Sequence, residues 1–263
     1  MKKKVNFDNI SIILKQPRCS ENIGAAARAI RNMGIGRLVL VNPTNYDIAK
    51  VMKLATHAAA EVVEQIELYE ELKEALSPYS YVVGTTARIG KYRRSVKNPS
   101  KLAQSLIAIS RDNNIAIIFG PEDRGLSNED IKFCDALVNI PTADFSSINL
   151  AQAAMIVCYE IFNAGCTESH NFVPRLATRH EIEGMYDQLK HILVRISYIN
   201  NENPDYWMNK LRHFFTRLHM QAREVSIIRG ICRQIDWYGK KCFNDGQKSL
   251  SCQQNPLERR KIL

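Results

Sequence analysis

Apolar residues run in short unbroken blocks through the first two thirds of the chain and in helical periods through the last third. The blocks SIILK (11–15), RLVLV (37–41), YVVGTT (81–86), IAIIFG (115–120) and ALVNIP (136–141) have the length and β-branched content of strands. Between them, apolar positions spaced three and four apart predict helices near 22–33, 47–60, 68–76, 98–109 and 148–164. Strands that read as continuous apolar runs and alternate with helices predict an α/β domain with a mainly parallel sheet over residues 1–165. Ligands in such sheets sit where the strands end.

The pattern changes after Gly165. The segment CTESHNFVPRLATRHE has no apolar period and contains Pro174, so 166–180 reads as a linker. Helical patterns return at 181–199 and 204–235, giving a small α-helical domain over 181–237. Met208, Leu211, Phe215 and Leu218 are spaced there for one buried face, and Pro204 suits a first turn. Trp207 and Phe214 are expected in the core. Residues 238–263 have the polar, basic composition of a disordered tail.

Charge adds a partner to this picture. The chain carries 36 Lys+Arg against 27 Asp+Glu, a net +9, which favours a polyanion. Residues 1–165 hold 20 basic and 17 acidic side chains (+3), whereas 166–263 hold 16 and 10 (+6), so the shorter part carries most of the excess. No run of about eighteen apolar residues is present to cross a membrane. The start MKKKVNFDNISIIL breaks at Asn6 to Asn9 and has no apolar run of signal-peptide length, and seven Cys without a Cys-x-x-Cys pair suit a reducing compartment. A cytoplasmic protein is expected, without a metal site, because the Cys and the six His are scattered.

Three loops carry the candidate chemistry. IIFGPEDRGLS (117–127) spaces its glycines like a phosphate-cradling loop but lacks the Lys, and Glu122 and Asp123 would repel a triphosphate. A neutral or cationic ligand is expected. PRCSENIGAAARAIRNMG (17–34) leads a strand end into a helix, with Ser20 as a candidate cap, Ala25, Ala26 and Ala29 for close packing, and Arg28 and Arg31 projecting. IPTADFSSINLAQAA (140–154) leads another strand end into a helix, with Ser146 or Ser147 as a candidate cap.

In order and spacing these segments resemble the motifs of the SPOUT superfamily, in its TrmH/SpoU branch of RNA 2′-O-methyltransferases. Asn22, Gly24 and Arg28 match the first motif; Gly120, Glu122, Gly125 and Leu126 the second; Ile140, Pro141, Ser147 and Asn149 the third, with Ile148 in place of its Leu. VGTTAR (83–88) and the tail LRHFFTRLHMQAREVSIIRGICRQI look like the TrmJ-type subgroup, which modifies nucleotide 32 of the tRNA anticodon loop.

That resemblance implies an α/β domain whose C-terminal third forms a deep trefoil knot, working as a homodimer on tRNA. It implies S-adenosylmethionine as cofactor, held by Thr85, Thr86, Ala87, Gly120, Glu122, Ile140, Ser147, Ile148 and Asn149. It also implies 2′-O-methylation of a cytidine or uridine ribose, with Arg28, Asn22 and Ser147 as the catalytic set. Arg28 sits beside the target ribose; a guanidinium with pKa above about 12 is a poor base, which favours an orienting and charge-stabilising role. Arg88, Arg212, Arg217, Arg223, Arg229 and Arg233, together with Arg28, are expected to meet RNA. The rival expectation is a non-catalytic protein whose C-terminal helices form a DNA-reading helix-turn-helix.

Overall fold

The computed structural model describes residues 5–87, 96–165, 174–200 and 202–254. The chain divides into two compact units, Met1–His180 and Glu181–Leu263. The first is built on seven strands: β1 (Ile10–Lys15), β2 (Arg37–Val41), β3 (Glu67–Tyr69), β4 (Tyr81–Thr85), β5 (Val96–Lys97), β6 (Ile115–Phe119) and β7 (Ala136–Val138). They form one sheet in the order β3-β2-β1-β6-β4-β7-β5, and every pairing is parallel.

The apolar runs are explained by this sheet, because its central strands are covered on both faces. Ile10, Ile12 and Leu14 of β1 point into one core with Ile115, Ile117 and Phe119 of β6, while Ile13, Ala116 and Ile118 point into another. The larger core is capped by α1 (Ser20–Asn32), α2 (Ile48–Ala55), α3 (Ala60–Glu64), α5 (Pro99–Ile109) and α7 (Leu150–Gly165). The smaller is closed by α4 (Leu72–Leu76) and by side chains around α6 (Asn128–Ile131), including Leu126 and Cys134.

Two details of the helix starts differ from the sequence reading. Ser20 does not cap α1. It is buried, donates its hydroxyl hydrogen to Asn45 O at 2.7 Å and accepts from Asp47 N–H at 2.9 Å, tying α1 to the loop before α2. Neither Ser146 nor Ser147 caps α7; Asn149 does, its Oδ1 accepting from the N–H groups of Ala151 and Gln152. Gly24 has a packing role, since a Cβ there would overlap the carbonyl of Val51 on α2.

The segment before the second unit is anchored within the first. Leu176 N–H donates to Asn113 Oδ1 at 2.5 Å, and Arg179 N–H to Tyr79 O at 2.9 Å. The Arg179 guanidinium pairs with Asp135, both side chains being buried, and Asp135 also accepts from Val82 N–H at 2.8 Å.

The second unit holds most of α8 (Arg179–Arg195), then α9 (Pro204–Thr216) and α10 (Ala222–Gln254). Pro204 opens α9 behind an Asn203 cap. The period from 204 to 235 is broken in the structure: α9 stops at Thr216, and His219 takes φ 43° before α10 begins. Leu218 therefore falls outside the helix and is exposed, whereas Met208 is buried. Trp207 and Phe214 are exposed, not core, with Lys210 Nζ 4.8 Å from the Trp207 ring centre. The helix also continues through residue 238 to Gln254, where the composition suggested a disordered tail.

Candidate functional site

Three parallel strands, β4, β6 and β7, end side by side, and the loops that follow them enclose a cavity of about 310 Å³. Thr85, Thr86 and Ala87 come from the first loop, Gly120 to Leu126 from the second, and Ile140, Ser146, Ser147 and Ile148 from the third. Phe119, Val138, Leu150 and Ala153 add apolar wall. The first and third loops are stitched together: Thr86 N–H donates to Val138 O at 2.9 Å, and Asn139 Nδ2 donates to Thr86 O at 2.8 Å.

The second loop folds on itself. A Cβ on Gly120 would overlap the backbone of Gly125 and Leu126, and Gly125 takes φ 65°, the left-handed region that favours glycine. Gly125 N–H donates to Pro121 O at 2.9 Å, holding the turn closed. Gly120 is thus required by the loop's own closure, ahead of any close approach to a ligand.

A chain of side-chain hydrogen bonds joins the three motif segments at the cavity rim. Asn149 Nδ2 donates to Asn22 Oδ1, and Asn22 Nδ2 donates to Glu122 Oε1, both at 2.9 Å. The other Glu122 oxygen accepts from Arg18 N–H at 3.1 Å, and the Arg18 guanidinium pairs with Asp123 at 2.8 Å. Charge at this rim is therefore partly compensated. Arg18 escaped the sequence reading, although its place one residue past Pro17 at a strand end was a usable signal.

All the sequence-proposed cofactor residues line the cavity except Asn149, which stands at its rim beside Asn22. Arg28 is not brought there: it lies on the exposed side of α1 and makes no hydrogen bond or ion pair among the described residues. Arg88 lies outside the described residues. In the second unit Arg212 is committed to a two-pronged pair with Glu183 (2.6 and 2.7 Å) and sits over the Tyr186 ring at 4.3 Å. Arg229 donates to Gln188 at 3.3 Å, whereas Arg217, Arg223 and Arg233 are exposed.

Among the described residues no group of three or more His, Cys, Asp or Glu is placed to hold a metal ion, and no helix is long and apolar enough to cross a membrane. Burial pushes the Cys158 thiol up to about 12 and raises that of Cys134, with nearby Asp135 raising the latter further. Both thiols are buried and held protonated.

A parallel α/β domain with a cavity at its strand ends, walled by glycine-bearing loops, defines a small-cofactor-binding α/β protein. The chain belongs to the SpoU rRNA Methylase family, whose sequence profile matches residues 9–159. A second profile, the C-terminal domain of the tRNA methyltransferase TrmJ, matches 180–248 and displaces the helix-turn-helix alternative. The chain is 32% identical over 244 residues to the tRNA (cytidine/uridine-2'-O-)-methyltransferase TrmJ of Klebsiella pneumoniae, covering 89% of this chain and 99% of that one. It is 31% identical over 241 residues to the Photorhabdus laumondii protein of the same name, covering 89% and 100%. The crystal structure of TrmJ from Z. mobilis ZM4 superposes with a TM-score of 0.73 at 28% identity, covering 86% of this chain and 98% of that one.

Proposed function

We propose that this protein methylates the ribose 2′-oxygen of a cytidine or uridine in tRNA, at nucleotide 32 of the anticodon loop, using S-adenosylmethionine. The observation that carries this reading is the rim, where side chains of three distant motif segments bond to one another beside an open cavity. The cavity residues fit the cofactor. Apolar walls and hydroxyl groups suit a neutral heterocycle, and the acidic second loop tolerates a cation.

When bound, the cofactor supplies a methyl group activated by a sulfonium. This chain's residues position and shield. Thr85, Thr86, Ile140 and Ile148 would hold the heterocycle, and Glu122, held by Asn22 and Arg18, fixes the second loop. Alignment of the 2′-oxygen supplies several kcal/mol of rate enhancement, a positioning effect. Arg28 orients the ribose and stabilises charge on its oxygen, with Asn22 and Ser147 as positioning groups.

A homodimer in the cytoplasm is part of the proposal. Arg28 is absent from the cavity of its own chain, and α7 exposes Ile156, Tyr159 and Phe162, a face that a second copy can cover. So is the trefoil knot, which rests on the family to which residues 9–159 belong. The test is incubation with total tRNA and labelled cofactor, followed by mapping of 2′-O-methyl sites. Label at nucleotide 32 supports the reading in full, and unlabelled tRNA refutes it.

A further inference from the structure

The second motif loop has two sides. One walls the cavity described above; the other walls a second cavity of about 380 Å³, and Pro121, Arg124, Gly125 and Leu126 line both. Lys15 and Asp130 pair at 2.5 Å within the second cavity, both largely buried. The second Asp130 oxygen accepts from the N–H and O–H of Ser127 at 2.9 and 2.8 Å. The buried Lys15 and Asp130 charges compensate each other, so that pair offers nothing to a phosphate or a metal ion. The cavity suits a neutral, hydrogen-bonding ligand.

The remaining polar groups are amides and one guanidinium. Gln16 takes φ 48°, a left-handed conformation unusual for a residue with a side chain, and its N–H is fixed on Val41 O at 2.7 Å. Its Oε1 accepts from Arg124 Nη2 at 3.0 Å, and Asn128 adds an exposed amide to the half-buried one of Gln16. We infer that this cavity receives the base of the nucleotide whose ribose is methylated, and that Gln16, Asn128 and Arg124 read the base edge. The inference rests on the function proposed above. Two cavities sharing one loop as partition match a nucleotide, in which the base and the 2′-oxygen are separated by one sugar ring.

The group chemistry matches a pyrimidine of either kind. Both cytidine and uridine present a carbonyl oxygen at position 2, to which a guanidinium donates. They differ at position 4, an amino donor in cytidine and a carbonyl acceptor in uridine. A carboxamide carries both a donor and an acceptor, and turning it over exchanges them. Asn128 can therefore serve both bases, where a carboxylate would serve one, while Gln16, its oxygen held by Arg124, presents its amino group.

The test uses the full-length protein, two tRNA transcripts differing only by C or U at the methylated nucleotide, and the variants Gln16→Glu and Asn128→Asp. The measurement is the ratio of kcat/KM for the C and U transcripts, beside S-adenosylmethionine affinity. A carboxylate accepts from the cytidine amino group and repels the uridine carbonyl, so the ratio should rise about tenfold in at least one variant, with cofactor affinity unchanged. Gln16→Ala should slow both transcripts. A C:U ratio within about twofold of wild type in both carboxylate variants overturns the base pocket while leaving the methyltransferase reading intact. Wild-type protein that methylates neither transcript overturns that reading, and the pocket with it.

Discussion

Asn149 donates its side-chain N–H to the side-chain oxygen of Asn22, 127 residues earlier in the chain, at 2.9 Å. The same Asn149 caps α7 through its oxygen, and the same Asn22 donates onward to Glu122. One asparagine thus couples the start of a helix to the acidic loop of the cavity. Each amide uses its donor and its acceptor in opposite directions, so neither can be replaced by an acid without leaving a donor or gaining a repulsion.

Asn22→Ala should remove both bonds and weaken S-adenosylmethionine binding by about 1–3 kcal/mol, because Glu122 and Asn149 each lose a partner at a partly buried rim. Asn22→Asp should be worse at high pH than at low, since it sets a second carboxylate against Glu122 and the pair then resists full ionisation. Calorimetric titration of the cofactor across pH 5.5–8.5 reads both. Cofactor affinity equal to wild type in Asn22→Ala would discard the rim as a functional unit.

Gly120→Ala and Gly120→Val should damage the fold as well as the cofactor site. The structure puts the added carbon into the backbone of Gly125 and Leu126. A loss of about 1–3 kcal/mol in unfolding free energy is expected for Ala, and more for Val. Gly125→Ala, which meets nothing within 4 Å but must hold φ 65°, should cost only about 1–2 kcal/mol. Chemical denaturation separates the three.

Thiol reactivity should divide by burial. Cys19 and Cys242 are exposed, whereas Cys134 and Cys158 are buried with their thiols held protonated. At pH 9, where an ordinary thiol is largely ionised, alkylation followed by peptide mass spectrometry should label Cys19 and Cys242 within minutes and the buried pair only on unfolding. The linkage has a definite sign. The folded state keeps protons that the unfolded chain releases, so this contribution to stability is present below the ordinary thiol range and fades as pH rises through and above it.

The central sheet was legible because burial on both faces leaves a local signature: β1 and β6 are unbroken apolar runs whatever surrounds them. Strands β3 and β5 left no such trace. They are three and two residues long at the sheet's two edges, half or fully exposed, and exist because β2 and β7 offer them open hydrogen bonds. The motif glycines were legible as glycines, but Gly24 and Gly120 take their meaning from Val51 and Leu126, which only the fold brings near. The cap on α7 was misread for a related reason: Ser147 and Asn149 are equally good caps locally, and the bond to Asn22 is made by only one of them.

The first unit should survive removal of the second only if the cut respects the anchor at 174–180. Ending the chain at 165 strips the Leu176 and Arg179 contacts and strands the buried Asp135 carboxylate, a loss of about 3–5 kcal/mol by analogy with other broken buried pairs. Ending it after His180 keeps them. That longer fragment should bind S-adenosylmethionine but hold tRNA poorly, with a shallower salt dependence, since exposed Arg217, Arg223 and Arg233 are gone. Full-rate tRNA methylation by the 1–180 fragment would remove the second unit from RNA docking.

Arg28 offers the sharpest division between binding and turnover. It is exposed on α1 and lines no wall of its own chain's cavity, so Arg28→Ala should leave cofactor affinity within about twofold of wild type. Turnover should fall by about a hundredfold or more, because a guanidinium aimed at a developing negative charge acts chiefly in the transition state. Lysine keeps the charge but not the planar fork and should restore only part of the rate. The pH profile of single-turnover methylation then separates its jobs. If Arg28 took the proton itself, an amine of lower pKa would move the profile to lower pH in Arg28→Lys. If it orients and stabilises, the profile should keep its shape at reduced amplitude. In a homodimer where Arg28 serves the cavity of the second copy, mixing Arg28→Ala with a chain whose cofactor binding is weakened by Asn22→Ala should give more activity than either variant alone. Mixtures no more active than either variant while forming heterodimers would confine Arg28 to its own subunit.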